Sequence, residues 1–184
     1  PVGTAAAVPY TAFVNLPKIE TTGIEIETTW APTEAFRLLL NYGFTNPEIK
    51  EATGLVDSTD PLARLPGAKP TGTIVGARYD ASGNLVDGQV GQDVSGNITP
   101  FTPKNNVSVN AIYTFDLNKL GSLTASASYS WQDSTYSSIF NRYTNRTPSW
   151  DMTNLRLLWN SSDRHFSVIG FINNIFDGVQ YDGR

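Results

Sequence analysis

Apolar and polar residues alternate with a period of two along several stretches of the chain, and the stretches meet in pairs at short turns. From Thr21 to Phe44 the sequence reads TTGIEIETTW-APT-EAFRLLLNYGF. Ile24, Ile26, Thr28 and Trp30 share one face of the first run, and Glu25 and Glu27 share the other. In the second run Phe36, Leu38, Leu40, Tyr42 and Phe44 lie together, with Arg37 and Asn41 opposite. Successive side chains of a strand point to opposite faces, so each run predicts a ribbon with one apolar and one wet side. Further on, Val107, Val109, Ala111, Tyr113 and Phe115 oppose Ser108, Asn110 and Thr114. Leu123, Ala125, Ala127, Tyr129 and Trp131 then alternate with Thr124, Ser126, Ser128 and Ser130. Thr153, Leu155, Leu157 and Trp159 oppose Asn154 and Arg156, and the final run carries a less decided pattern whose faces stay unassigned.

These periodicities predict strands over residues 10–30, 34–46, 105–115, 121–133, 150–160 and 164–176. Pro17 interrupts the first, and Pro47, which has no N–H to give a ladder, is expected to close the second. Ala31-Pro32-Thr33, Asp116–Gly121 and Ser161-Ser162-Asp163 are short turns. Two long loops, 47–102 and 132–149, separate the pairs. Inside the first, Thr73–Val90 reads as a projecting hairpin turning at Ser82-Gly83-Asn84.

Predicted strands of this length exceed the usual ~5–6 residues of globular sheets. Short turns on one side, long loops on the other and aromatics at the strand ends point to an all-β, antiparallel transmembrane β-barrel. Trp30, Phe36, Tyr113, Phe115 and Trp159, with Phe166, sit beside the short turns, as an aromatic girdle at one membrane interface would. Glu25, Glu27, Arg37, Asn110 and Arg156 then face the lumen, because a charge facing lipid costs about 2–4 kcal/mol at the midplane. A solvated lumen wall and a set of contacts to whatever fills the barrel remain equal readings of these residues. A soluble or surface β-sandwich, such as an adhesin or carbohydrate-binding module, is the alternative. It requires the Ile24/Ile26/Leu38/Leu40 face to bury against a second sheet.

Composition agrees with the barrel. Charged residues make up 16% of the chain, where a soluble domain carries about 25%. A net charge of −4 argues against a nucleic-acid partner, which needs clustered Lys and Arg. There is no cysteine, hence no disulfide framework or thiolate site. No stretch approaches the roughly 20 apolar residues of a membrane helix, but barrel strands need only about 9–11. Pro1–Tyr10 (PVGTAAAVPY) is not a signal peptide, so an exported protein is expected here as a mature chain or a fragment.

Four stretches carry a resemblance to the C-terminal barrel of TonB-dependent outer-membrane receptors. They are Asn15–Glu27 (NLPKIETTGIEIE), Trp30–Tyr42 (WAPTEAFRLLLNY), Pro103–Tyr113 (PKNNVSVNAIY) and Val168–Asp177 (VIGFINNIFD). The resemblance implies six strands of a barrel of about 22. It also implies a plug domain and a final aromatic-ended strand that this sequence does not contain. An isolated open sheet would leave lipid-exposed edges, so a portion of a larger or split receptor is expected, working with the rest of its barrel. By the same resemblance the receptor imports a siderophore or another scarce nutrient across a Gram-negative outer membrane. Its partners are then the TonB complex, acting through the plug, and outer-membrane lipid. A passive porin-like channel is a further alternative, distinguished by the plug.

No catalytic constellation is present, and no metal or cofactor site is expected. The single histidine, His165, reads as a turn residue. No Gly-x-Ser-x-Gly elbow occurs, and Asp80, Ser82 and Asn84 lack the acidic ligand that closes a calcium loop. The ligand hypothesis rests on the second loop. Tyr136, Phe140 and Tyr143, between Trp131 and Trp150, stand among Arg142, Arg146, Asn141 and Asn145. Aromatic faces with Arg and Asn donors suit a siderophore, a sugar or a similar small molecule. The competing reading packs these aromatics within the loop and gives the tryptophans to the outer interface.

Overall fold

The computed structural model describes residues 15–57, 74–79 and 85–181. Six long strands pair edge to edge in one antiparallel sheet: β1 (Lys18–Trp30), β2 (Phe36–Glu51), β6 (Asn105–Asp116), β7 (Ser122–Gln132), β10 (Trp150–Asn160) and β11 (Ser167–Ile172). Between β2 and β6 lie β3 (Leu55–Val56), β4 (Ile74–Tyr79) and β5 (Leu85–Gln92), in a sheet ordered β3-β5-β4. The loop after β7 holds a two-residue pair, β8 (Thr135–Tyr136) and β9 (Arg146–Thr147). The described residues contain no α-helix, only 3₁₀ turns such as Asn118–Leu120 and Tyr143–Asn145.

The register keeps the two faces separate across the sheet. On one, Thr28, Leu40, Val109, Tyr129 and Thr153 fall in a row, and the next row is Leu38, Ala111, Ala127, Leu155 and Ile172. Opposite them run Glu27, Asn41, Ser108, Ser130 and Met152, then Thr29, Leu39, Asn110, Ser128 and Asn154. A slip of one residue would exchange the faces, so the alternation itself specifies the pairing. The undecided last strand falls into line here: Val168, Gly170 and Ile172 continue the apolar rows, while Ile169 and Phe171 lie on the wet side.

Among the described residues nothing covers either face. Ile24 is 62% exposed and Leu157 51%, although both stand on the apolar side. The face that a sandwich would bury is open. Among the described residues the buried hydrophobic ones, Ile49, Ala52 and Val94, lie past the end of the β2–β6 pairing, at the roots of the long loops, with Leu16, Leu55, Ile139 and Phe140 packed on them.

The second and the last strand depart most from the sequence expectation. β2 does not stop at Pro47 but continues to Glu51, with Pro47 paired to Thr21 of β1. Thr45 and Ile49 donate their N–H groups away from β1, to the carbonyls of Lys104 (2.8 Å) and Asn97 (2.9 Å). Pro47 stands midway between them and shares that side, so its missing N–H removes no bond to β1. The last strand is shorter than 164–176. Its start is held in the turn, where Arg164 has φ +58° and Ser161 N–H donates to Phe166 O at 2.9 Å. Its end turns at Asn174 (φ +51°), whose carboxamide accepts from Gly178 N–H and donates to Gly178 O, both at 2.9 Å. The start of the predicted first strand (residues 10–14) and the Ser82-Gly83-Asn84 turn lie outside the described residues.

Candidate functional site

The residues with chemistry to offer gather in three places: the wet face, the aromatic end of the apolar face, and the joined roots of the two long loops.

On the wet face, Arg37, Ile112, Ser126, Arg156 and Phe171 form one row across the sheet, with Glu27 and Glu25 on β1 further from the short turns. A shallow groove of about 560 Å³ runs over Asn110, Ser126, Ser128, Asn154 and Arg156. Asn154 donates to Ser128 Oγ at 3.3 Å and accepts from Asn174 N–H at 2.9 Å. The Asn110 side-chain oxygen is buried with no hydrogen-bond partner. A buried acceptor without a donor is costly, so this position favours a donor from a group that approaches the wall.

On the apolar side, Trp30, Phe36, Tyr113 and Phe115 touch in sequence, with ring centroids 5.9, 6.4 and 4.5 Å apart. Edge and tilted contacts of this kind add to simple area burial. Trp159 donates its indole N–H to Leu120 O at 2.9 Å, tying its ring to the neighbouring turn. In the third turn, the Ser161 hydroxyl and His165 N–H both donate to Asp163, holding its carboxyl below the ordinary 3.8. His165 Nδ1 stands 3.0 Å from Asp163 with its ring largely in solvent.

The loop roots divide the sequence-predicted ligand residues. Phe140 packs on the Ile49–Ala52–Val94 cluster. Arg142 donates to Asp57, itself 5% exposed, and to Gln92 at 2.9 Å. Both residues are therefore engaged inside the loops. Tyr136 lies opposite Arg146 in the small β8–β9 pair, and its carbonyl accepts from Phe101 N–H at 2.8 Å. Arg146 itself reaches Ser134 Oγ at 2.9 and 3.2 Å and remains exposed. Tyr143, on the short 3₁₀ turn, is 87% exposed and offers the open aromatic face of the group.

Sequence reasoning missed Asp57, Gln92 and Asn97 as partners of this loop. Asp57 and Arg142 are separated by 85 residues, and nothing in the pattern of either segment pairs them. Near Asp93, the Ser95 side chain and N–H hold the carboxyl below its ordinary value, an exposed local turn with no visible link to a ligand. Among the described residues no group of His, Cys, Asp and Glu gathers to hold a metal ion.

Comparison with known proteins gives this arrangement a family. The model of the TonB dependent receptor-like β-barrel matches residues 1–175. The chain belongs to the TonB-dependent receptor β-barrel family. Its fold is similar to the ferric yersiniabactin uptake receptor FyuA of Yersinia pestis, with a TM-score of 0.54 at 16% identity, over 86% of this chain and 18% of that one. It is likewise similar to the siderophore receptor PiuA of Acinetobacter baumannii, with a TM-score of 0.56 at 16% identity, over 90% of this chain and 20% of that one. The chain thus spans about a fifth of the length of these receptors. No curated protein matches it. The open six-stranded sheet is an arc of a TonB-dependent receptor barrel wall, and its two edges are the edges of that arc.

Proposed function

We propose that this chain forms part of the wall and mouth of an outer-membrane receptor that imports a scarce nutrient, with an iron–siderophore complex as the leading class, using energy delivered through TonB. In this reading the apolar rows face lipid and the aromatic chain Trp30–Phe36–Tyr113–Phe115 lies at the periplasmic interface. The wet face lines the lumen, where Glu25, Glu27, Arg37, Asn110 and Arg156 meet the plug. The long loops stand outside the cell, and Tyr143, Tyr136 and Arg146 present aromatic and cationic groups to the ligand. Phe140 and Arg142 support them from within the loops. The barrel makes and breaks no bond; its chemistry is recognition and passage.

The observation that supports this most is the two-faced sheet left uncovered on its apolar side. A soluble protein rarely exposes a contiguous apolar surface of this kind, whereas a bilayer requires one. Every backbone group inside a membrane must be paired, and antiparallel strands pair all but the two edges. The test is uptake by cells carrying the full-length receptor under iron limitation, with and without a functional TonB. Import that stops when TonB is lost supports the reading. Import that continues unchanged identifies a passive channel instead.

A further inference from the structure

The second long loop leaves the sheet from β7 and returns into β10, yet its tightest attachments lie on the far side of β6. Residues 94–98 of the first loop run along the end of β2: Val94 N–H donates to Ala52 O (2.9 Å), Gly96 N–H to Ile49 O (2.7 Å), and Glu48 and Ile98 form an isolated bridge. Asn141 then treats Ile98 as a strand partner. Its side-chain oxygen accepts from Ile98 N–H at 2.7 Å, and its amide donates to Ile98 O at 2.9 Å. Asn97 answers by donating to Ile139 O at 2.8 Å. The next residue, Arg142, reaches Asp57 and Gln92, and Ile139 and Phe140 close the contact on Ile49, Ala52 and Val94.

We propose that Asn141 and Arg142 are positioning residues that couple the described roots of the two long loops into one rigid unit anchored on β2. Tyr143 follows them directly in the chain, so a ligand that engages it acts on the first loop and on β2 as well as on its own loop. That consequence rests on the capture role proposed above; the coupling does not.

Asn141 has φ +48°, a conformation that Asn, Asp and Gly tolerate better than other residues. Asn141→Gly therefore deletes the carboxamide while keeping the backbone, and Asn141→Asp keeps the acceptor for Ile98 N–H. The experiment uses the full-length receptor in detergent with spin labels on cysteines replacing Thr53 and Thr144, one in each loop. The native protein should give a narrow distance distribution, Asn141→Gly a broad one, and Asn141→Asp an intermediate one. Hydrogen exchange should rise about tenfold in 94–98 and 136–141 together, with 107–115 and 122–131 unchanged.

An unchanged distribution in Asn141→Gly, or faster exchange in 136–141 alone, overturns the coupling. If Asn141→Gly also loosens the sheet, Gln92→Ala decides: a smaller paired rise supports the coupling, and none refutes it. A receptor with coupled loops that transports nothing refutes the proposed function and leaves this inference standing.

Discussion

The sheet and the loop roots solve opposite problems with the same chain. In the sheet, Ile24, Ile26 and Leu157 remain open although they are apolar, and the strands make their main contacts with their in-plane neighbours. At the loop roots, Ile49 and Val94 are sealed at 0% and 1% exposure and surrounded by side chain–backbone hydrogen bonds. The first region relies on its surroundings to supply an apolar solvent. The second carries its own core, as a small water-soluble unit does. In the proposed reading the boundary between the two media falls near Phe44 and Asn105, where β2 parts from β6.

Substitutions can break this contrast, and the largest effect is expected at the core of the loop roots. Ile49→Ala leaves a cavity among Ala52, Val94 and Phe140, and should cost the loops about 2–5 kcal/mol. Limited proteolysis of the receptor should then cut near residues 52–57 and 94–98 while the strands stay protected. Next comes Leu40→Arg, in the middle row of the apolar face, with an expected loss of about 2–4 kcal/mol. Its readout is the fraction of heat-modifiable, folded receptor recovered in the outer membrane. Asn41→Arg, on the wet side of the same strand, should leave that fraction nearly unchanged.

Gly121→Ala should act on the short-turn end with an effect of about 1–3 kcal/mol. Gly121 has φ +95°, and an added Cβ would stand 1.9 Å from Asn160 O, so the two turns must separate. Fluorescence of Trp159, whose indole N–H binds Leu120 O in the same turn, should report it. The smallest effect is a pH response of the third turn. The lowered Asp163 carboxyl stabilises the turn at pH above its ordinary 3.8, and this contribution is lost as pH falls through the depressed folded value. Amide exchange across 161–166 should therefore accelerate in strong acid, and Asp163→Asn should abolish that response.

The sheet was legible in the sequence because one face had to differ from the other at every second residue. Strands such as Ser122–Gln132 could be read almost residue by residue, and their faces matched the register. Pro47 misled, because whether a missing N–H matters depends on which neighbour lies on that side of the strand. The Val168–Asp177 stretch was visible as a resemblance, but the physical meaning of its end lies in the carboxamide of Asn174 pairing with Gly178. The loop clasp was not legible. Asn141 and Asn97 bond to backbone groups that every residue possesses, and Asp57 meets Arg142 from 85 residues away.

In the proposed barrel, consecutive residues of these strands face different solvents. The chain contains no cysteine, so single cysteines introduced into β7 of the full-length receptor can be spin-labelled without ambiguity in this segment. Labels at Ala125, Ser126, Ala127 and Ser128, in receptor reconstituted in lipid, would be relaxed by molecular oxygen and by a water-soluble nickel complex. Strict alternation is expected, with positions 125 and 127 open to oxygen and shielded from nickel, and positions 126 and 128 less open to oxygen. Equal accessibility at all four, or nickel contact at 125 and 127, would contradict it.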